Sequence, residues 1–221
     1  NLGALRNSEK CKKLALQSIH EASHAVLYRL LTGKCPSAIV SANVFRDGGY
    51  MVHEVDQDYS VTSIKEFRDD IMVALAGYYG EREFFEESRC SLGSGSDLLK
   101  VWEGLRDAFY REGLSIPLIY SEIGVSSENG GLPFGFTETQ EINKELKAWF
   151  DDLCTETREH LKSERNLIAN VADYLVSHRS MDTKTFKEYV DRYGKNIKPE
   201  EDPENYYIEI IKNDLLQSRN R

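Results

Sequence analysis

The sequence predicts a mainly α (α+β) fold, a helical domain with a small β-hairpin or sheet. Apolar residues recur at three- and four-residue spacing through most of the chain. Two capping-box patterns, Ser63-Ile64-Lys65-Glu66 and Thr137-Glu138-Thr139-Gln140, mark helix starts. One β-branched stretch beside a Gly-Gly turn stands apart from this helical pattern. At 221 residues the chain is long enough for one sizeable core, and 40% hydrophobic with 29% charged residues is the composition of a folded globular domain. We expect a domain over residues 1–194 and a charged extension over 195–221, where Pro199 and Pro203 interrupt regular structure.

Residues 8–31 are good helix formers, and Gly33 stands where a left-handed C-terminal cap belongs. Ala15, Ile19, Ala22, Val26 and Leu30 form one apolar stripe, while Leu16, Leu27 and Leu31 flank two histidines on another. Residues 38–45 and 50–55 read as the strands of a hairpin around Arg46-Asp47-Gly48-Gly49. A second helix follows Ser63 to about residue 87. A Gly- and Ser-rich loop over 88–96 leads to a third, which places Asp97 at a helix start and ends near Gly113. Residues 114–136 carry prolines and the Glu128-Asn129-Gly130-Gly131 cluster and are left irregular. Further helices run from Thr137 toward His160, around Leu167 to Leu175, and from Asp182 as N-cap through Phe186 and Val190, with Tyr206 to Leu216 as a last helical candidate.

Composition also narrows function. A formal net charge of −9 gives no broad basic surface, which argues against a nucleic-acid partner. The apolar runs fall far short of the roughly 20 residues that cross a bilayer, so no membrane span is expected in these residues. Cys11, Cys35, Cys90 and Cys154 stand far apart without a C-x-x-C pair, which suits free thiols in an intracellular, reducing compartment such as cytoplasm or an organelle matrix or stroma.

Within the first helix, His20-Glu21-Ala22-Ser23-His24 is an H-E-x-x-H pattern. Residues four apart share a helix face, so both imidazoles can reach one zinc ion, while Glu21 is turned about 100° away and stands beside the metal. A catalytic zinc keeps a position for water and lowers its pKa toward about 7, and a neighbouring carboxylate can then act as general base. A third protein ligand is needed. Leu27 and Leu30 occupy the positions where an extended metzincin motif would have Gly and His. His53, His160 and His178 read as surface or structural histidines, and Asp97 is open to two roles, helix cap or ligand.

These features together resemble the peptidase domain of the FtsH family of ATP-dependent zinc proteases. The resemblance is carried by His20 to Ala25, by Phe45-Arg46-Asp47-Gly48-Gly49-Tyr50, by Ala74-Leu75-Ala76-Gly77 with Glu81, and by Gly93 to Leu98. It covers roughly residues 8–190 and implies that Asp97 is the third zinc ligand beside His20 and His24, with Glu21 as catalytic base. It implies zinc as cofactor, an unfolded or flexible polypeptide as substrate laid along an edge strand, and either a homo-oligomeric ring or a separate ATPase partner. No Gly-x-x-x-x-Gly-Lys-Ser/Thr loop occurs in these 221 residues. Ser23, Tyr78 and Ser96 depart from the family's Gly, Arg and Asn. With them the alternative is a peptidase-fold scaffold of weak activity.

Overall fold

In a computed structural model of the chain the described residues are 2–41, 48–53, 62–110, 112–114 and 136–196, without the side chains of 2–10 and 136–139. They form α1 (Leu2–Thr32), β1 (Ala38–Val40), β2 (Tyr50–Val52), α2 (Ile64–Phe84), a 3₁₀ turn (Glu87–Arg89), α3 (Gly95–Tyr110), α4 (Phe136–Ser163), α5 (Arg165–His178), β3 (Ser180–Asp182) and α6 (Thr183–Tyr193). The mainly helical expectation holds. The expected turn at 46–47, most of the 114–136 segment, the side chains of the Thr137 capping box and the helix candidate at 206–216 lie outside the described residues.

The local signals act as their chemistry requires. Ser63 caps α2 reciprocally: its Oγ accepts from the Glu66 N–H at 3.1 Å, and Glu66 Oε2 accepts from the Ser63 N–H at 2.7 Å. Asp182 accepts from the Thr185 N–H at 2.8 Å and starts α6. Gly33 takes φ +73°, a region costly for residues with a Cβ, and its N–H donates to the Arg29 carbonyl at 3.1 Å to end α1.

Two boundaries and one strand differ from expectation. Helix α1 begins at Leu2, before Ser8, and α2 ends at Phe84 rather than 87. The hairpin is part of a three-stranded antiparallel sheet of order β2-β1-β3, with Ile39 opposite Met51 on one side and Met181 on the other. β3 forms because Met181 is buried beside Ile39, and because Ser41 ties its N–H and Oγ to the α5 terminus, donating to Arg179 O at 2.9 Å and Leu175 O at 3.1 Å. β2 is thereby an edge strand, with Tyr50 and Val52 exposed.

Helix α1 is central and packs chiefly against α2 and α5, and α4 covers the far side of α2. Leu75 and Ala76 of α2, Leu153 and Leu161 of α4, Leu167, Ile168, Val171 and Leu175 of α5 and Phe186 of α6 are almost wholly buried, each large side chain contributing about 1.5–3 kcal/mol of transfer free energy. Where α1 meets α2, Gly77 lies against His20 and His24 and Gly80 against Ser23, with no room for a Cβ at either, so the two helices approach closely. Cys154 is buried, Cys11 exposed, and all four cysteines are free thiols. Among the described residues no helix is long and apolar enough to cross a membrane.

Ser23 fills the space left by Gly80: its Oγ donates to the Ile19 carbonyl at 2.7 Å and occupies the place a Cβ on residue 80 would take. Gly80→Ala is therefore expected to destabilise the fold by about 1–3 kcal/mol despite its better helix propensity. Adding Ser23→Gly should recover part of that loss. A double-mutant cycle from urea unfolding with additive effects would show that the two positions are not coupled.

Candidate metal centre

The close α1–α2 crossing brings His20 and His24 over Gly77. A Cβ there would overlap the Nε2 side of both imidazoles, so only glycine leaves room for the pair. The ring centroids are 4.8 Å apart and nearly edge-on. Asp97 arrives from the first turn of α3, with Oδ2 3.2 Å from His20 Nε2 and 3.6 Å from His24 Nε2. The three sequence-predicted ligand residues thus converge, one atom from each lying within 4.8 Å of the others.

The far side of each ring fixes its orientation. His24 Nδ1 lies 2.7 Å from the Val73 carbonyl, which can only accept, so Nδ1 carries a proton and Nε2 is the nitrogen turned toward Asp97. His20 Nδ1 donates to Glu81 Oε1 at 2.9 Å. Burial pushes the Glu81 carboxyl up, but donors from His20 and from the Ser91 N–H and hydroxyl outweigh it, and the group is held below the usual carboxylate range. Asp97 is likewise well below that range: burial opposes its charge, and the hydrogen-bonding imidazoles of His20 and His24 overcome it.

Asp97 Oδ2 thus accepts from His20 Nε2 at 3.2 Å and has His24 Nε2 3.6 Å away, so two ring nitrogens and one carboxylate oxygen converge, a donor set of the kind zinc takes. In a tetrahedral zinc site with bonds near 2.0–2.1 Å, ligand atoms stand about 3.3 Å apart, close to the 3.2 and 3.6 Å seen here. In the metal-free chain His20 itself supplies the positive charge. Burial lowers its pKa, but the contacts with Asp97 and Glu81 raise it more, to about 9 from 6.5.

Glu21 is buried beside this cluster, and burial raises its pKa against the opposing pull of His24 and His20. Gly49, at the start of the edge strand, is what lets the hairpin reach it: a Cβ on residue 49 would lie 2.5 Å from Glu21 Cγ and 2.6 Å from the Val40 carbonyl. The remaining histidines take no part. His53 stacks on Tyr28, His160 lies 3.7 Å from Glu156, and His178 stacks on Tyr174. Tyr78, the most conspicuous departure from the resembled motif, carries the Arg82 guanidinium on its ring at 3.5 Å and stands edge-on to Tyr79.

Sequence reasoning left Glu81 and Ser91 without a role. Glu81 is 1% exposed and binds both α1, through His20, and the loop before Asp97, through Ser91. The available signal was an acidic residue four positions after Gly77 on an otherwise apolar helix face. The Val73 carbonyl, as backbone, had no signal at all.

Residues 6–189 match the model of peptidase family M41. Similar proteins include the ATP-dependent zinc metalloprotease FtsH of Caldicellulosiruptor bescii, 25% identical over 83% of this chain and 30% of the relative. Proteins of the same name from Syntrophobacter fumaroxidans and Thermobaculum terrenum are 25% and 28% identical over 84% and 81% of this chain, and 30% and 29% of the relatives. The chain spans about 30% of the length of these curated relatives. With a match running from before the first histidine into α6, the chain belongs to peptidase family M41.

Proposed function

We propose that the chain is a zinc metalloendopeptidase domain that hydrolyses peptide bonds in unfolded or flexible polypeptides. The observation that carries this reading is the convergence of His20 Nε2, His24 Nε2 and Asp97 Oδ2 beside a buried Glu21. His20, His24 and Asp97 are the three protein ligands, with Glu81 and the Val73 carbonyl orienting the imidazoles. A zinc ion there supplies Lewis-acid polarisation of a substrate carbonyl and acidifies water. Glu21 takes the proton of the attacking water. Its burial favours this, because a raised pKa makes the carboxylate a better base near neutral pH.

An extended substrate pairs with the outer edge of β2, whose first residues adjoin Glu21 through Gly49. Such pairing uses backbone groups and needs an unfolded segment. Delivery from folded proteins is assigned to an ATP-dependent unfolding activity, in a ring of copies or a separate ATPase partner; the relatives' printed name supports the ATP dependence alone. The free cysteines favour a reducing intracellular compartment. The departures that favour a scaffold carry less weight: Ser23 is accommodated by Gly80, and Tyr78 is engaged with Arg82.

Glu21→Gln is expected to lower cleavage of an unfolded protein by about 10²-fold or more while leaving bound zinc stoichiometric. Activity surviving this change would remove Glu21 as base, and stoichiometric zinc with no cleavage by the unaltered protein would favour the scaffold. Asp97→Ala should abolish tight zinc binding in a chelator competition, and Glu81→Gln should weaken it by about 10–100-fold. Unchanged affinity in Asp97→Ala would return Asp97 to helix capping.

Zinc uptake should also be pH-linked. With its pKa raised to about 9, His20 is protonated in the metal-free chain at pH 7.5 and must lose a proton to become a ligand. Calorimetry in buffers of different ionisation enthalpy should therefore find about one proton released per zinc, with affinity rising up to about pH 9. The imidazolium's own stabilisation of the metal-free fold runs the opposite way: complete below pH 6.5, it is lost as pH rises through about 9. Zinc binding without proton release at pH 7.5 would contradict the assignment.

A further inference from the structure

We propose that Lys100 selects polypeptide substrates bearing an acidic side chain next to the scissile bond. The inference rests on the reading of the chain as a peptidase. It begins with the two oxygens of Asp97: Oδ2 faces both histidines, while Oδ1 has the Lys100 ammonium 3.7 Å away, one helical turn along α3. The Lys100 side chain is 73% exposed against 17% for Asp97, so the ammonium stands in solvent at the mouth of the site. The ammonium thus borders a ligand of the proposed site.

The charge balance decides what this cation does. A held dication would face the carboxylates of Asp97 and Glu21, while the buried Glu81 is answered behind the His20 ring by the His20 and Ser91 donors, and the Lys100 ammonium is an exposed charge on the solvent side. An exposed contact at 3.7 Å is weak, so Asp97 does not lock Lys100 in place, and its flexible four-carbon stem can turn to an incoming carboxylate. A substrate carbonyl held at the three ligands would adjoin Asp97, and Lys100 stands one helical turn from Asp97 with its ammonium 3.7 Å from Oδ1, so a side chain next to the scissile bond comes within reach of the lysine stem. The protein as a whole carries −9, which disfavours acidic polypeptides at a distance, so a preference for them has to originate locally.

The test uses the zinc-loaded full chain and three peptides that differ only in having Glu, Gln or Lys beside the cleaved bond. We expect kcat/KM for the Glu peptide to exceed that for the Lys peptide by about fivefold, and the ratio to shrink toward one as salt rises. Lys100→Arg should keep the preference and Lys100→Glu should reverse it. Each ratio is taken within one protein, so a general loss of activity cancels. The same Glu-to-Lys ratio in the wild type and in Lys100→Glu would overturn the proposal. Should the wild type cleave none of the peptides, the peptidase reading fails separately, and the ratios are then taken from dissociation constants by fluorescence anisotropy, where the same reversal supports Lys100 and its absence overturns it.

Discussion

The carboxylate of Glu81 joins two parts of the chain that the sequence keeps far apart. On one side it accepts from His20 Nδ1 of α1, and on the other from the N–H and hydroxyl of Ser91, in the loop that leads to Asp97. Nearly all of it is removed from water, so its charge is sustained by these donors alone. Bonds to a charged group contribute about 1.5–3 kcal/mol each, whereas a buried charge stripped of a donor costs more than the lost bond. The tautomer of His20 and the approach of α3 are therefore set by the same group. Moving either would leave the other wrongly placed.

Glu81 can reach His20 only because α1 and α2 cross at close range. Ser23, Gly77 and Gly80 line that crossing, and larger residues at the two glycines would hold the helices apart. Gly77 makes space for two imidazoles at once, which explains why a glycine is kept in mid-helix at a cost of about 1 kcal/mol relative to alanine. Ser23 shows the same constraint from the other helix. It replaces the glycine of the resembled motif, and the added volume is met by a glycine at position 80, so the helix spacing is preserved.

Most of this fold was legible wherever a residue type has a local physical role. Ser63 and Asp182 cap helices because short polar side chains satisfy free N–H groups, and Gly33 ends α1 because only glycine takes positive φ freely. β3 was not legible: three residues with one buried apolar side chain, Met181, carry no period, and the strand exists only because Ile39 is already in place beside it. Arg179 closes α5 at φ +69° with no glycine to announce it. At the candidate metal centre His20, Glu21 and His24 follow a known spacing, and the groups that hold the two imidazoles do not. Glu81 is 61 positions from His20 and Val73 is 49 from His24, and such separations have meaning only after folding.

The orientation of Asp97 bears most directly on what the site is for. It occupies the first turn of α3, where unsatisfied N–H groups and the positive end of the helix dipole would welcome its carboxylate as a cap. Instead Oδ2 is turned toward the two imidazoles, 3.2 Å from His20 Nε2 and 3.6 Å from His24 Nε2. Their contacts hold its charge there against the cost of burial. Rotating the side chain toward α3 as a cap would give up these contacts, which bind α3 to α1. Glu81, Ser91 and the Val73 carbonyl fix the same surroundings from behind, so the donor set that a cation would use is already assembled.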